Sequence, residues 1–145
     1  MTPDPQKCLS ESRRVLQDGG VLTCSSWQGS EWLDLMRLIS RIRPDKKLPD
    51  LPKEWNDVNS IKGELEKAGF RDVESHQVET TMRFDKVEDL SGILFKLPHM
   101  VMMMNDFSED ETTRFKELMM DEARKLAPHD PGELKGIALV AVGRK

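Results

Sequence analysis

The stretch ESRRVLQDGGVLTCSSW, residues 11–27, decides the fold because it contains the end of a helix, a stop signal and a strand. Gly19 and Gly20 follow the helical residues, and glycine is favoured just past a helix because it tolerates a positive φ. Residues 21–27 then form an apolar and small-residue run of strand length. Helix, glycine pair and buried strand together predict one helix-to-strand step of a layered α/β fold.

Composition limits the class of protein. The chain has 145 residues and a formal net charge of -4, which fits one mildly acidic domain. A chain without a basic run is a poor ligand for nucleic-acid phosphates. No apolar run approaches the ~20 residues of a membrane span, and the first residues lack the pattern of a signal peptide. Cys8 and Cys24 are too few for a disulfide framework or a metal site. We therefore expect a cytoplasmic protein that binds neither nucleic acid, membrane nor metal.

The middle of the chain predicts two helices and a strand. Ser30 is a plausible N-cap for a helix that Pro44 ends. Residues 43–57 contain three prolines and many charges, so they predict a surface loop that Trp55 anchors. Asn59 or Ser60 is expected to cap the next helix, which Gly69 ends before a strand over about residues 72–84.

The last third predicts a pair of helices and a final strand. Asp85 with Glu88, and Ser108 with Glu111, have the spacing of capping boxes. The apolar residues 97–107 lie between these two helices and are expected to form a connection. Residues 136–143 are apolar throughout, which predicts a strand inside the sheet with cover on both faces.

Three motifs carry a family resemblance. Residues 11–27 give the first, and SIKGELEKAGFRDVES, residues 60–75, contains an LxxAGF step. The ending VAVGRK, residues 140–145, is the third. In this order they resemble the C-terminal half of class I S-adenosylmethionine (SAM)-dependent methyltransferases. The resemblance implies a Rossmann-like α/β half-sheet of about three strands, with the last strand central and antiparallel. It also implies one domain over residues 1–145, with a helical substrate-covering insertion at 85–127.

The resemblance does not extend to the residues with which the family binds its cofactor. The family binds SAM with a glycine-rich turn after its first strand and an acidic residue at the end of its second. This chain has no G-x-G pattern, so the resemblance implies that the N-terminal SAM-binding half is lacking. No cofactor is expected in the isolated chain, and SAM only if a partner supplies the missing half. The strand at 21–26 would then be an open edge, which predicts a homodimer or a heterodimer.

Site residues are expected around the Met-rich run. His99 borders MVMMM, residues 100–104, and is the candidate general acid or base, although a surface histidine is the alternative. Asp106 is the second catalytic candidate, with a loop-and-cap role as its alternative. The candidate substrate-binding residues, for which core packing is the alternative, are Trp27, Trp32, Met100, Met102, Met103 and Phe107.

These features predict a methyltransferase-like protein of secondary metabolism that tailors an apolar small molecule. In the isolated chain it would hold its substrate for cyclisation or rearrangement without SAM, through proximity and orientation. Two alternatives stay open. The chain is a SAM-dependent methyltransferase completed by a partner chain, or it is a non-catalytic regulatory subunit.

Overall fold

The computed structural model describes residues 4–145. Each of the three strands is preceded by one or more helices, and one 3-10 turn lies at Lys53–Trp55. In chain order the elements are α1 (Pro5–Val15), β1 (Val21–Ser30), α2 (Glu31–Arg37), α3 (Ile39–Ile42), α4 (Val58–Lys67), β2 (Arg71–Phe84), α5 (Asp89–Leu94), α6 (Pro98–Met103), α7 (Glu109–Leu126) and β3 (Gly132–Arg144).

The three strands form one sheet in the order β1-β3-β2. The end of β3 lies beside the start of β1, because the Lys145 amide donates to the Gly20 carbonyl at 2.8 Å. It also lies beside the start of β2, where Arg71 Nη2 donates to the Lys145 carbonyl at 3.3 Å. The last strand is therefore central and antiparallel to both neighbours, which confirms the predicted α/β fold class and sheet order.

The chain divides into two compact units. The first unit comprises Met1–Gly29, described from residue 4 onwards, together with Leu51–Glu79 and Ile137–Lys145. The second unit comprises Ser30–Asp50 and Thr80–Gly136. The helices predicted between residues 85 and 127 all belong to the second unit.

In the first unit, α1 and α4 contribute to a core against the strands. Trp55 packs partly buried against this core, which confirms its predicted role as an anchor. The buried core residues are Leu9, Ile61, Leu65, Phe70, Val73, Leu139 and Ala141. Gly19 and Gly69 have φ values of 77° and 88°, so both glycines occupy the helix-ending positions that the sequence predicts.

The cap of α4 differs from the prediction. Asp57, rather than Asn59 or Ser60, is the N-cap. Its carboxylate accepts from the Asn59 amide at 2.9 Å and from the Ser60 amide at 3.3 Å. One carboxylate that accepts both amides satisfies two of the free donors at the helix start, and this fixes the start of α4 earlier.

Within the first unit, β3 is covered fully on one face only. Leu139 and Ala141 are buried, whereas Val140 and Val142 remain partly exposed. The prediction of full cover on both faces therefore does not hold for this part of the strand.

In the second unit, α7 packs against α2, α3 and α5. The rings of Phe95 and Phe115 stack with centroids 5.1 Å apart, and Phe115 is completely buried. The two helix starts that the sequence predicts at serines are confirmed. Ser30 caps α2 by accepting from the Leu33 amide, and Ser108 forms a capping box with Glu111 at the start of α7.

The other predicted capping box is wrong. The helix α5 starts at Asp89, and Glu88 makes no side-chain cap. Asp130 Oδ1 instead accepts from the Val87 amide at 3.2 Å, so a residue distant in sequence holds this turn. The segment predicted as a connection also differs, because Pro98–Met103 forms α6. Proline suits the first helical turn, and methionine is a good helix former.

Within residues 4–145, no helix is both long and apolar enough to cross a membrane. The same part of the chain shows no cluster of three or more acidic, cysteine or histidine side chains suited to a metal ion.

Candidate functional site

His99 lies in the first turn of α6, directly after Pro98. Its side chain is partly exposed, but the Nε2 atom is buried and has no hydrogen-bond partner among the described residues. An unpartnered buried nitrogen is costly, because it has lost water without gaining a protein partner. His99 is therefore the predicted site residue with an unused capacity to donate or accept a hydrogen bond.

The Met-rich run divides between the core and the surface. Met100 is completely buried, whereas Met102 is 74% exposed and Val101 is also exposed. Met103 is partly buried. The spacing follows from the helix, because residues two positions apart face in different directions on α6. Met100 is thus placed as a core residue, and Met102 as a residue that a ligand or partner could reach.

Trp32 is a packed residue of the second unit. Its side chain is 7% exposed. A Cβ atom added at Gly136 would lie 2.4 Å from Trp32 Cη2 and 2.8 Å from the Ser30 Cβ, so the indole ring packs directly on the β3 backbone. This placement favours the core-packing alternative, and the predicted contact of Trp32 with substrate stays a prediction.

Asp106 is held by two cations. Lys46 Nζ lies 2.7 Å from Asp106 Oδ1, and Arg43 Nη2 lies 3.4 Å from Oδ2. The hydrogen bond from Lys46 is the main cause that lowers the pKa of Asp106 below its usual value. The carboxylate is therefore a stable anion that anchors a loop, and this geometry supports the loop-and-cap alternative over catalysis.

Arg43 is the centre of this ion-pair network. It donates two hydrogen bonds to Asp45, each 3.0 Å long, and these raise its pKa further. It also approaches Glu111 at 3.5 Å, and its guanidinium lies 5.8 Å from the centre of the Phe107 ring. The network ties the loop after α3 to the first turn of α7, and it covers one side of Phe107 with a cation.

The last two candidate site residues are Phe107 and Trp27. Phe107 is partly buried. Trp27 is partly buried in the first unit, while the other candidates belong to the second unit. The roles of His99, Asp106, Trp27, Trp32, Met100, Met102, Met103 and Phe107 in one cavity stay a prediction.

Sequence reasoning missed Arg43 and Lys46 as partners of Asp106. Both lie in the segment that it interpreted as a solvated loop. The available signal was the dense charge of RPDKK, residues 43–47. Asp106, with which these cations pair, lies 63 residues away from Arg43.

The second unit also has a groove of about 230 Å³ between α2 and α7. Its apolar lining residues are Leu35, Leu38 and Leu126, and its charged lining residues are Glu31, Asp34, Glu122 and Lys125. None of the predicted site residues lines this groove. It is smaller than the roughly 300–1,000 Å³ that is usual for small-molecule sites.

The expectation that this chain lacks a SAM cradle of its own stays a prediction. Such a cradle needs a glycine-rich turn that opens a helix after a strand. The glycine pair of this chain instead closes α1, where the Gly20 amide donates to the Gln17 carbonyl at 2.8 Å. Within residues 4–145, no strand is followed by a glycine-rich turn of that kind.

Comparison with known proteins places the chain beside methyltransferases. No family model matches it. It is 38% identical over 144 residues to methyltransferase ucsB from an Acremonium species, an alignment that covers 99% of this chain and 50% of ucsB. It is 26% identical to methyltransferase tpcH of Aspergillus fumigatus, over 100% of this chain and 55% of tpcH. It is also 26% identical to methyltransferase ktnA of Aspergillus niger, over 99% of this chain and 51% of ktnA.

The chain thus spans about half the length of the curated relatives it matches. A solved structure from Bacillus halodurans, provisionally identified as a methyltransferase, matches 99% of this chain and 58% of its own. The TM-score is 0.47 and the sequence identity 19%. Over its whole length the chain is similar in sequence to the three fungal proteins named methyltransferases.

Proposed function

We propose that this chain forms the substrate-holding part of a methyltransferase that acts on an apolar small molecule. The observation that carries this proposal is the 38% identity to methyltransferase ucsB over 99% of the chain. Relatives that match a chain from end to end support a common class of reaction, although they leave the substrate open. Three fungal relatives with the same class name support methyl transfer over the cofactor-free cyclisation that the sequence also suggested.

The second unit is the proposed place of substrate binding. Met102 and Val101 offer exposed apolar surface on α6, and Phe107 follows that helix. His99 Nε2 lacks a partner, so a substrate hydroxyl that reached it would supply the missing hydrogen bond. A neutral imidazole in that position can accept the proton of a hydroxyl group that is to be methylated.

The residues that bind the methyl donor are proposed to lie outside this sequence. A homodimer or heterodimer is the expected arrangement, with the partner at the open side of β1. In the order β1-β3-β2, β1 has only one neighbouring strand among the described residues, and an edge strand of ten residues can pair with another chain.

A complementation assay tests this function. The chain is mixed or co-expressed with the part of methyltransferase ucsB that it does not match. Transfer of a radiolabelled methyl group from SAM to a panel of apolar phenols and alcohols is then measured. Activity of the mixture, with none from either part alone, is the expected result.

His99→Ala should reduce this activity at least tenfold while the complex still forms. His129→Ala is the matched control, because His129 is exposed in a turn of the same unit. An unchanged rate for His99→Ala would remove the acid–base role and favour a regulatory subunit. Conversion of a substrate by the isolated chain without SAM would instead support the cyclisation hypothesis.

A further inference from the structure

Among the described residues of the first unit, the helices α1 and α4 lie on one face of the sheet, and the other face carries exposed side chains. Side chains alternate between the two faces of a strand, and Leu22, Val73 and Leu139 face the core with α1 and α4. Their neighbours along each strand therefore lie on the opposite face. We call this surface the outer face, and define it by Val21, Thr23, Glu74, His76, Val78, Val140, Val142 and Arg144.

The outer face is apolar at its centre. Val140 and Val142 of the central strand are only partly buried. Val21 on β1 is 47% exposed, and Val78 on β2 is 45% exposed. Valines on three adjacent strands thus expose apolar surface on this face, and exposed apolar patches on soluble proteins mark contact sites.

Charges of both signs border this apolar surface. A shallow depression of about 230 Å³ is lined by Val21, Asp72, Glu74, Val142, Gly143 and Arg144. Arg144 reaches the Gly19 carbonyl only at 3.4 Å, and Glu74 lies 3.7 Å from His76. Both charged side chains are thus weakly held within the chain and are free to exchange these contacts for stronger ones.

We propose that a second copy of this chain binds the outer face, with the two sheets packed face to face. A two-fold axis parallel to the strands, between β3 and β2, would bring Arg144 of each copy onto Asp72 and Glu74 of the other. The same axis would cover the valines of β3 in each copy with β2 of the other. A patch that carries both charge signs around an apolar centre is complementary to itself, as a two-fold contact requires.

The charge pattern favours a second copy over other occupants. A basic partner would meet Arg144, and an acidic partner would meet Asp72 and Glu74. The contact uses side chains of the sheet face, so it is distinct from backbone pairing at the open side of β1. The proposal goes beyond the proposed function, because it holds whether or not the chain takes part in methyl transfer.

Sedimentation equilibrium from micromolar to near-millimolar concentrations tests this contact. The unmodified chain should form dimers reversibly. Glu74→Arg and Arg144→Glu should each weaken the dimer by about tenfold or more, because each variant places like charges together twice. The double variant Glu74→Arg/Arg144→Glu restores the pair between positions 74 and 144 but leaves a like charge against Asp72, so it should bind more tightly than either single variant without fully regaining the original affinity.

Glu117→Arg is the matched control, because this exposed glutamate lies on α7 in the other unit and the charge change is the same. It should leave the dimer unchanged, and circular dichroism melts should show all variants folded. A monomer at every concentration would overturn the proposal. A dimer that neither single variant weakens would also overturn it, and so would a double variant that binds no better than the single variants. A dimer that tolerates the charge changes but protects the β1 amides from hydrogen exchange would overturn it as well, because the contact would then lie at the edge of the sheet.

Discussion

At the scale of single residues, Asp106 shows how an ion pair makes stability depend on pH. Lys46 and Arg43 lower the pKa of Asp106 in the folded protein. The folded state therefore binds this proton more weakly than the unfolded chain does. The stabilisation is present above the unfolded-state pKa of about 3.9, and is lost as the pH falls through the lower folded-state value.

Asp106→Asn removes this dependence. We expect the variant to melt at a lower temperature than the parent at neutral pH, and this difference to shrink below about pH 4. Thermal melts monitored by circular dichroism across this range are the measurement. Asp110→Asn is the control, since Asp110 only approaches Arg114 at 3.9 Å on an exposed face. Equal pH profiles for Asp106→Asn and the parent would contradict the role of the network.

Substitution of His99 should affect the stability and the activity of the protein differently. Replacement of an unpartnered buried nitrogen by an apolar group removes a desolvation cost, so His99→Leu should keep the free energy of unfolding or raise it by about 1 kcal/mol. The same variant should lose activity in the complementation assay. His129→Leu should change neither quantity. A loss of more than about 2 kcal/mol in His99→Leu would mean that the ring is a structural residue.

At the scale of secondary-structure elements, the contact between α2 and β3 depends on Gly136. Because an added Cβ would lie 2.4 Å from Trp32 Cη2, Gly136→Ala must displace the indole ring or the strand. We expect a loss of about 1–3 kcal/mol, the usual cost of overpacking. Urea unfolding measures it.

Gly63→Ala is the matched control for this element contact. Gly63 lies inside α4, and a Cβ there meets nothing within 4 Å outside its own helix. Alanine should therefore stabilise α4 by about 0.5–1 kcal/mol. The two Gly→Ala changes should have opposite signs, and equal effects would contradict the packing of Trp32 on β3.

The sequence predicts elements well where the determining contacts are local. The caps at Ser30 and Ser108 and the helix ends at Gly19 and Gly69 depend on residues within one turn, and all four are confirmed. The start of α5 is not predicted, because it depends on Asp130, 43 residues away from Val87.

The candidate site was harder to predict for the same reason. The position of His99 beside an apolar segment is visible in the sequence, but its buried Nε2 atom depends on the fold around α6. Likewise, the sequence cannot assign Asp106 to Arg43 and Lys46, since many charges of the loop have equivalent local surroundings. The apolar run of residues 100–104 also gives no indication that Met100 is buried and Met102 exposed.

At the scale of the whole molecule, the methyl donor is the central question. The resemblance predicts that the isolated chain has no useful affinity for SAM, because its glycine pair ends α1. Calorimetric titration of the pure chain with SAM should show no saturable heat up to near-millimolar ligand. Addition of the unmatched part of ucsB should restore binding. A low-micromolar affinity with one site per isolated chain would contradict the prediction.

The surface of α6 provides the last prediction, because it contains apolar side chains that the chain itself leaves uncovered. Met102 is 74% exposed, so Met102→Asp should change the free energy of unfolding by less than about 0.5 kcal/mol. Met100 is completely buried, so Met100→Asp should unfold the second unit or cost about 4 kcal/mol or more, because it buries an unpaired carboxylate.

If α6 is where the apolar substrate binds, Met102→Asp should nevertheless lower the activity of the complemented enzyme at least tenfold, mainly through a higher KM. Asn105→Asp is the control, since it adds the same charge at an exposed position shortly after α6 without removing apolar surface. A normal KM for Met102→Asp, together with an altered sedimentation coefficient, would mean that α6 contacts a partner protein. A normal KM with unchanged assembly would place the substrate elsewhere. An exposed apolar side chain that can be replaced by a carboxylate without effect contacts neither the substrate nor a partner protein.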